Sequence, residues 1–78
     1  MICYGFTKGR DWVQEVYDGE SGDARDRARA LRKLSYRATV RDLGRQVTRA
    51  GTVRLKIVSV WLRYGEDYPP VPEQIERL

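Results

Sequence analysis

The chain has 78 residues, 41% of them hydrophobic and 33% charged, with a net charge of +4, no histidine and one cysteine. A chain of this length buries only about 60% of its unfolded surface, which leaves room for one thin core and excludes a deep, many-layered catalytic cleft. Cys3 has no partner for an internal disulfide, no apolar run reaches the ~18 residues of a membrane span, and the N-terminus lacks a signal-peptide pattern. These features point to a reducing cytoplasm or its phage-infected equivalent, and away from secretion and the membrane.

The small net charge conceals a pattern. Residues 27–63 hold eleven bases against Asp42 alone, while residues 11–26 hold six acids against Arg25. The last stretch, 64–78, is acidic again, with Glu66, Asp67, Glu73 and Glu76 against Arg77. A basic middle between acidic flanks points to an acidic partner: nucleic acid, an anionic protein surface, or the chain's own ends.

In chain order, residues 2–6 are short, apolar and aromatic, as an edge strand would be. Thr7-Lys8-Gly9-Arg10 reads as a tight turn. Residues 11–17, DWVQEVY, fit two readings. Trp12, Val13, Val16 and Tyr17 have helical spacing, but the residue types, the length and the following Asp18-Gly19 turn favour a strand. Residues 18–23, DGESGD, form a loop whose spaced acids lack the ligand series and closing Glu of a calcium site. Ser21 or Asp23 is placed to cap the next element.

Residues 24–35 predict the one clear helix. Ala24, Ala28, Leu31 and Ser35 make its apolar stripe, widened by Ala30 and Leu34. Arg25, Arg29, Arg32 and Lys33 gather opposite. From Tyr36 to Thr48 the pattern alternates as a strand does, with Gly44 marking a bulge or bend. A turn at Ala50-Gly51 leads into residues 51–63, GTVRLKIVSVWLR, the strand around which the chain is organised. The simplest two-residue turn there places Val40 opposite Trp61 and Arg45 opposite Lys56. On that register Tyr36, Ala38, Val40, Leu55, Ile57 and Trp61 form the floor under the helix. Arg37, Arg41, Arg45, Arg49, Arg54 and Lys56 then crowd the outer face, a register that a slip at Gly44 would change.

Residues 65–78 form a proline-containing tail. Successive prolines hold it extended, and Pro69-x-x-Pro72 has polyproline-ligand spacing. The expectation is that Tyr68, Val71, Ile75 and Leu78 fold back over the apolar end of the last strand. The fold class expected is therefore α+β, a single domain with one helix on a small antiparallel sheet, in a ββαββ or αβ-hairpin arrangement.

Catalytic chemistry finds little support. Without histidine the commonest general base is missing. Ser21, Ser35 and Ser59 lie in no nucleophile motif, Cys3 has no His or second Cys beside it, and neither a zinc cluster nor a phosphate-cradling glycine loop is present. The expectation is a non-enzymatic binding protein without cofactor or metal. Its binding residues are Arg37, Arg41, Arg45, Arg49, Arg54 and Lys56, joined by Arg29 and Arg32 from the helix. Arginine suits phosphate and carboxylate equally. On the register above, the outer face offers no aromatic pair for base stacking, with Tyr64 the only candidate.

Two resemblances bear on the partner. Residues 39–55, TVRDLGRQVTRAGTVRL, resemble the helix-turn-helix of bacterial repressors, with Asp42-Leu43 opening the motif and Thr52-Val53 beginning a recognition helix. That would direct Arg49, Arg54 and Lys56 to DNA. The turn glycine falls late for this pattern, and 57–62 is a poor helix. The architecture from Trp12 to Leu62, with its acidic loop, basic middle and lack of catalytic residues, looks like the small phage or mobile-element proteins that include anti-CRISPRs. That resemblance implies an inhibitor occupying a surface of a host nucleoprotein complex, such as a CRISPR-Cas effector. A nucleic-acid-binding module built on the central basic cluster is the rival reading.

Overall fold

A computed structural model describes residues 3–49 and 51–70. Four strands and one helix follow in the order β1 (Cys3–Lys8), β2 (Trp12–Asp18), α1 (Asp23–Lys33), β3 (Arg37–Thr48) and β4 (Gly51–Trp61). All neighbouring strands are antiparallel, and the sheet order is β1-β2-β4-β3. The helix carries the chain from β2 over the sheet to β3, leaving a gap that β4 fills as the central strand. One helix on one antiparallel sheet is the α+β architecture expected, in its ββαββ form. The ambiguous 11–17 stretch is strand, because its alternate residues Val13, Glu15 and Tyr17 all turn inward. Residues 39–48 lie in β3 and 51–55 in β4, so the helix-turn-helix resemblance does not hold. Their β-branched residues and a long-range register with β2 outweigh the local motif.

The helix forms where the alanines and arginines concentrate, and it buries Ala24, Ala28 and Leu31 as the stripe predicts. Its small side chains let it lie close on the sheet. Gly22, and not Ser21 or Asp23, is the N-cap, and no side chain caps it; the Ser21 hydroxyl accepts a bond from the Asp23 N–H at 3.3 Å. The other end is tighter. Tyr36 N–H donates to Leu31 O at 3.0 Å and Ser35 N–H to Arg32 O at 2.9 Å, with Ser35 at φ 69°. That is a Schellman turn carrying a serine where glycine is usual. The helix therefore stops before Ser35, and Leu34 is exposed.

Val13, Tyr17 and Cys3 from the first hairpin meet Val58 and Val60 of β4 and Ala38 of β3 beneath the helix. Tyr36 and Leu62 pack at the margin of this core. In the tail, Tyr68 folds back onto the β1–β2 turn. Its hydroxyl donates to Gly9 O, and Lys8 Nζ sits 5.2 Å from its ring centroid. Val71, Pro72, Ile75 and Leu78 lie outside the described residues. Among the described residues no helix is long and apolar enough to cross a membrane.

The β3–β4 register differs from the expected one, and the difference decides what each face carries. Thr48 pairs with Gly51, so Gly51 already belongs to β4 and the strands close one position earlier than a turn centred on Ala50-Gly51 requires. That shift moves partners by two and leaves the faces unchanged. Between Asp42 and Gly44 the register slips again by a single residue, an inserted Leu43 in a β-bulge. One residue is half the side-chain repeat of a strand, so every face relation beyond it inverts. Val40 pairs with Val58 and Arg37 with Trp61. Leu55, Ile57 and Trp61 thus leave the predicted floor for the opposite face, and Val58 and Val60 take their place under the helix.

Candidate functional site

The helix covers only one side of the sheet. The other side is built by alternation from Trp12, Gln14 and Val16 of β2, Leu55, Ile57, Ser59 and Trp61 of β4, and Arg37, Thr39 and Arg41 of β3. The register fixes the rows. Trp12 lies opposite Trp61, and Trp61 opposite Arg37, so two indoles and a guanidinium share one row across three strands. Gln14, Ser59 and Thr39 make the next row, and Val16, Ile57 and Arg41 the one after. Trp61 is 47% exposed, and Arg37, Thr39 and Arg41 are exposed. Trp12 is half-buried because its indole lies over Gly9, where a Cβ would overlap the ring. The Trp12 end is tied down by backbone bonds from Gly9 N–H to Trp12 O at 2.9 Å and from Leu62 N–H to Asp11 O at 2.8 Å. The two tryptophans thus stand on adjacent strands of a rigid backbone, Trp61 open to solvent and Trp12 partly covered.

This pair is what the residue pattern did not reveal. Alternation identified Trp61 as one-sided, but the face it occupies depends on the bulge at Leu43. Trp12 was legible as a strand residue, yet its neighbour across β4 was not.

The basic residues do not share one surface. Arg37 and Arg41 stand on the open sheet face. Beyond the bulge Arg45 pairs with Arg54, and both lie on the helix side, as does Lys56 opposite Asp42. Arg49 is in the β3–β4 turn. Arg29 is on the exposed side of the helix, and Arg32 donates from Nε to Ala38 O at 3.0 Å, bracing the helix against β3. Arg54 comes within 4.0 Å of Asp42, a solvent-exposed pairing of little weight. The expected single arginine face is thus split by one inserted residue into an open-face pair and a ribbon group. Tyr64 lies beyond the end of β4, fully exposed and off the sheet.

On the helix side sits a second feature that the sequence did not announce. Glu15 is wholly buried between Val13 and Tyr17. Arg27 grips its carboxylate with both nitrogens, Nε to Oε1 at 2.8 Å and Nη2 to Oε2 at 3.0 Å, and the Tyr17 hydroxyl donates to Oε1 at 2.5 Å. Burial pushes the Tyr17 phenol well above its ordinary range, and its bond to the Glu15 carboxylate and that group's charge push the same way. Burial pulls the Arg27 guanidinium down, but its hydrogen bond to Glu15 and the carboxylate charge outweigh this and hold it above its usual value. No buried side-chain polar atom among the described residues lacks a hydrogen-bond partner, and Glu15 does not reach solvent, so the group is a clamp between β2 and the helix. Among the described residues no cluster of acidic, Cys or His side chains is arranged to hold a metal ion.

Comparison of the chain with protein-family models, with curated proteins and with solved structures finds no match.

Proposed function

We propose that this chain is a small non-catalytic binding protein whose working surface is the helix-free sheet face, and that the face takes a single strand of nucleic acid. The observation that carries this reading is the row Trp12–Trp61–Arg37. Two indoles side by side offer flat platforms for unpaired bases, and each base stacked on an aromatic side chain contributes about 1–3 kcal/mol. Arg37 and Arg41 border the platform four residues apart on β3, about 14 Å from each other, and neutralise the backbone phosphates. Gln14, Ser59 and Thr39 fill the row between with hydrogen-bonding groups. The sheet supports the platform as a preorganised surface, so little side-chain freedom is lost on binding.

The test is fluorescence anisotropy with a labelled single-stranded oligonucleotide across a salt series. Trp61→Ala weakens binding by roughly 5- to 100-fold, the equivalent of one lost stacking contact. Arg37→Ala and Arg41→Ala each lower the salt slope by about 0.7. No binding at low salt by a folded protein overturns the reading.

One observation favours a second partner on the same face. Val16 and Ile57, half-buried on adjacent strands, form an apolar pair beside the arginines, which base stacking does not require and which suits the core of a protein interface. On this reading the chain is an inhibitor of the anti-CRISPR type, produced by a phage or mobile element. It would lie on an acidic surface of a nucleoprotein complex such as a CRISPR-Cas effector, in the cytoplasm of the bacterial host. A salt-tolerant complex with such a target, disrupted by Ile57→Asp and formed without any affinity for free nucleic acid, selects this alternative.

A further inference from the structure

We infer that the β3–β4 ribbon, residues 43–49 and 51–54, is a separate contact for duplex DNA, lying in the major groove. Combined with the sheet-face reading above, on which only this last step rests, it makes the full partner a duplex that carries a single-stranded extension.

The ribbon stands apart from the rest of the sheet. β2 ends opposite Leu55, and one residue further out Gly19 N–H still donates to Arg54 O at 2.8 Å; beyond Arg54 β3 and β4 pair only with each other. Three residues per strand at about 3.4 Å each carry the tip roughly 10 Å outward. The molecule is accordingly 39 Å long against 22 and 21 Å across. A two-stranded ribbon matches the major groove of B-form DNA, whereas the deep, narrow major groove of an RNA helix does not admit it. DNA is therefore the duplex this shape fits.

The charge arrangement calls for an anion. Residues 43–54 contain Arg45, Arg49 and Arg54 and no acid. Arg45 lies directly opposite Arg54, a like-charge pair that destabilises the ribbon in isolation. The acids within reach are Asp42, 4.0 Å from Arg54, and Asp18 and Glu20, which line a hollow of about 400 Å³ at the ribbon's root together with Arg45, Arg54, Thr52 and Val53. All three sit at the root. The tip carries Arg49 beside Val47, which is 89% exposed and is placed to meet a thymine methyl group.

The ribbon is also preformed. Gly44 takes φ +68° at the bulge, and its N–H donates to Asp42 Oδ1 at 2.7 Å. Gln46 Nε2 donates to Leu43 O at 2.9 Å, and the Thr48 hydroxyl to Gly51 O at 2.8 Å. A bulge strengthens the twist of the strands, which suits a groove that itself winds. The same two strands run on into the open face, so Arg41 and Arg45 lead from one surface to the other across a single bulge.

The experiment measures binding of the full chain to a blunt DNA duplex, to a short single strand, and to the duplex bearing that strand as an overhang. The variant is Arg45→Ala/Arg49→Ala, two exposed positions outside the core, and its fold is checked by thermal unfolding. The wild type is expected to bind the blunt duplex, and the variant to lose that binding by roughly tenfold or more, with a salt slope lower by about 2. Single-strand binding is unchanged in the variant, and the overhang duplex binds more tightly than either part. A blunt duplex that does not bind, or that binds the variant as well as the wild type, overturns the ribbon contact. Duplex binding lost in the variant but without any single-strand binding supports the ribbon contact and overturns the sheet-face reading instead.

Discussion

Arg27→Met isolates the energetics of the buried clamp. The substitution keeps the length and apolar stem of the side chain and removes the guanidinium. Glu15 then retains only the Tyr17 hydroxyl as partner, in a site with no solvent access. Arg27 itself is only 13% exposed at the side chain, so water reaches the vacated position poorly. Removing one partner of such a pair leaves an uncompensated charge, which costs about 3–5 kcal/mol. A domain of this size has a total stability of about 4–12 kcal/mol, so the loss consumes a large share of it. Urea denaturation followed by tryptophan fluorescence gives the value directly, and the midpoint falls with the slope unchanged. The double variant Glu15→Leu/Arg27→Met removes the charge as well as its partner and recovers most of the loss, because apolar residues of similar volume replace buried ion pairs at little cost. A single-variant loss below about 1 kcal/mol, or a double variant no more stable than the single one, would refute the claim that Glu15 is a dry, charged group.

Three further outcomes follow from local structure. Tyr17→Phe removes one bond to a buried carboxylate and lowers stability at neutral pH by about 1–3 kcal/mol. It also changes the alkaline limb: the folded chain holds the Tyr17 proton above pH 10 while the unfolded chain releases it there, so this group's contribution is complete below about pH 10 and is lost as the pH rises further. Denaturation midpoints measured from pH 8 to 11 therefore fall less steeply in the variant than in the wild type. Ser35→Gly relieves the left-handed backbone at the end of the helix and raises stability by about 0.5–1 kcal/mol, read as an increase in Tm. Gly44→Ala imposes a side chain at φ +68° and lowers stability by about 1 kcal/mol in the same assay, although no neighbouring atom obstructs the new Cβ.

The elements of this fold are legible in the residue pattern to differing degrees. The alanine-leucine stripe of the helix, the alternating strands on either side of it and the α+β class all follow from local periodicity, because burial on one side imposes the spacing of 3.6 or of 2. The absence of histidine and of paired cysteines is equally plain to read. What local periodicity does not contain is the number of residues in the turn and in the bulge. The inserted Leu43 decides which face of β4 meets the helix, whereas a turn one position earlier only moves each partner by two. Because side chains alternate, that insertion puts Trp61, Ile57 and the still-buried Leu55 on the helix-free face and Val58 and Val60 under the helix, and it separates Arg37 and Arg41 from Arg45 and Arg54.

The amino-acid order by itself determined a small basic domain with one amphipathic helix and a set of strands, since propensity and hydrophobic period act over a few residues. Only the tertiary structure decided that two tryptophans distant in the chain stand side by side, that a carboxylate is held dry by an arginine from the helix, and that the middle arginines divide between a sheet face and a projecting ribbon. Each of those depends on pairing between distant segments, where a shift of one residue leaves the local pattern intact and reverses every neighbour.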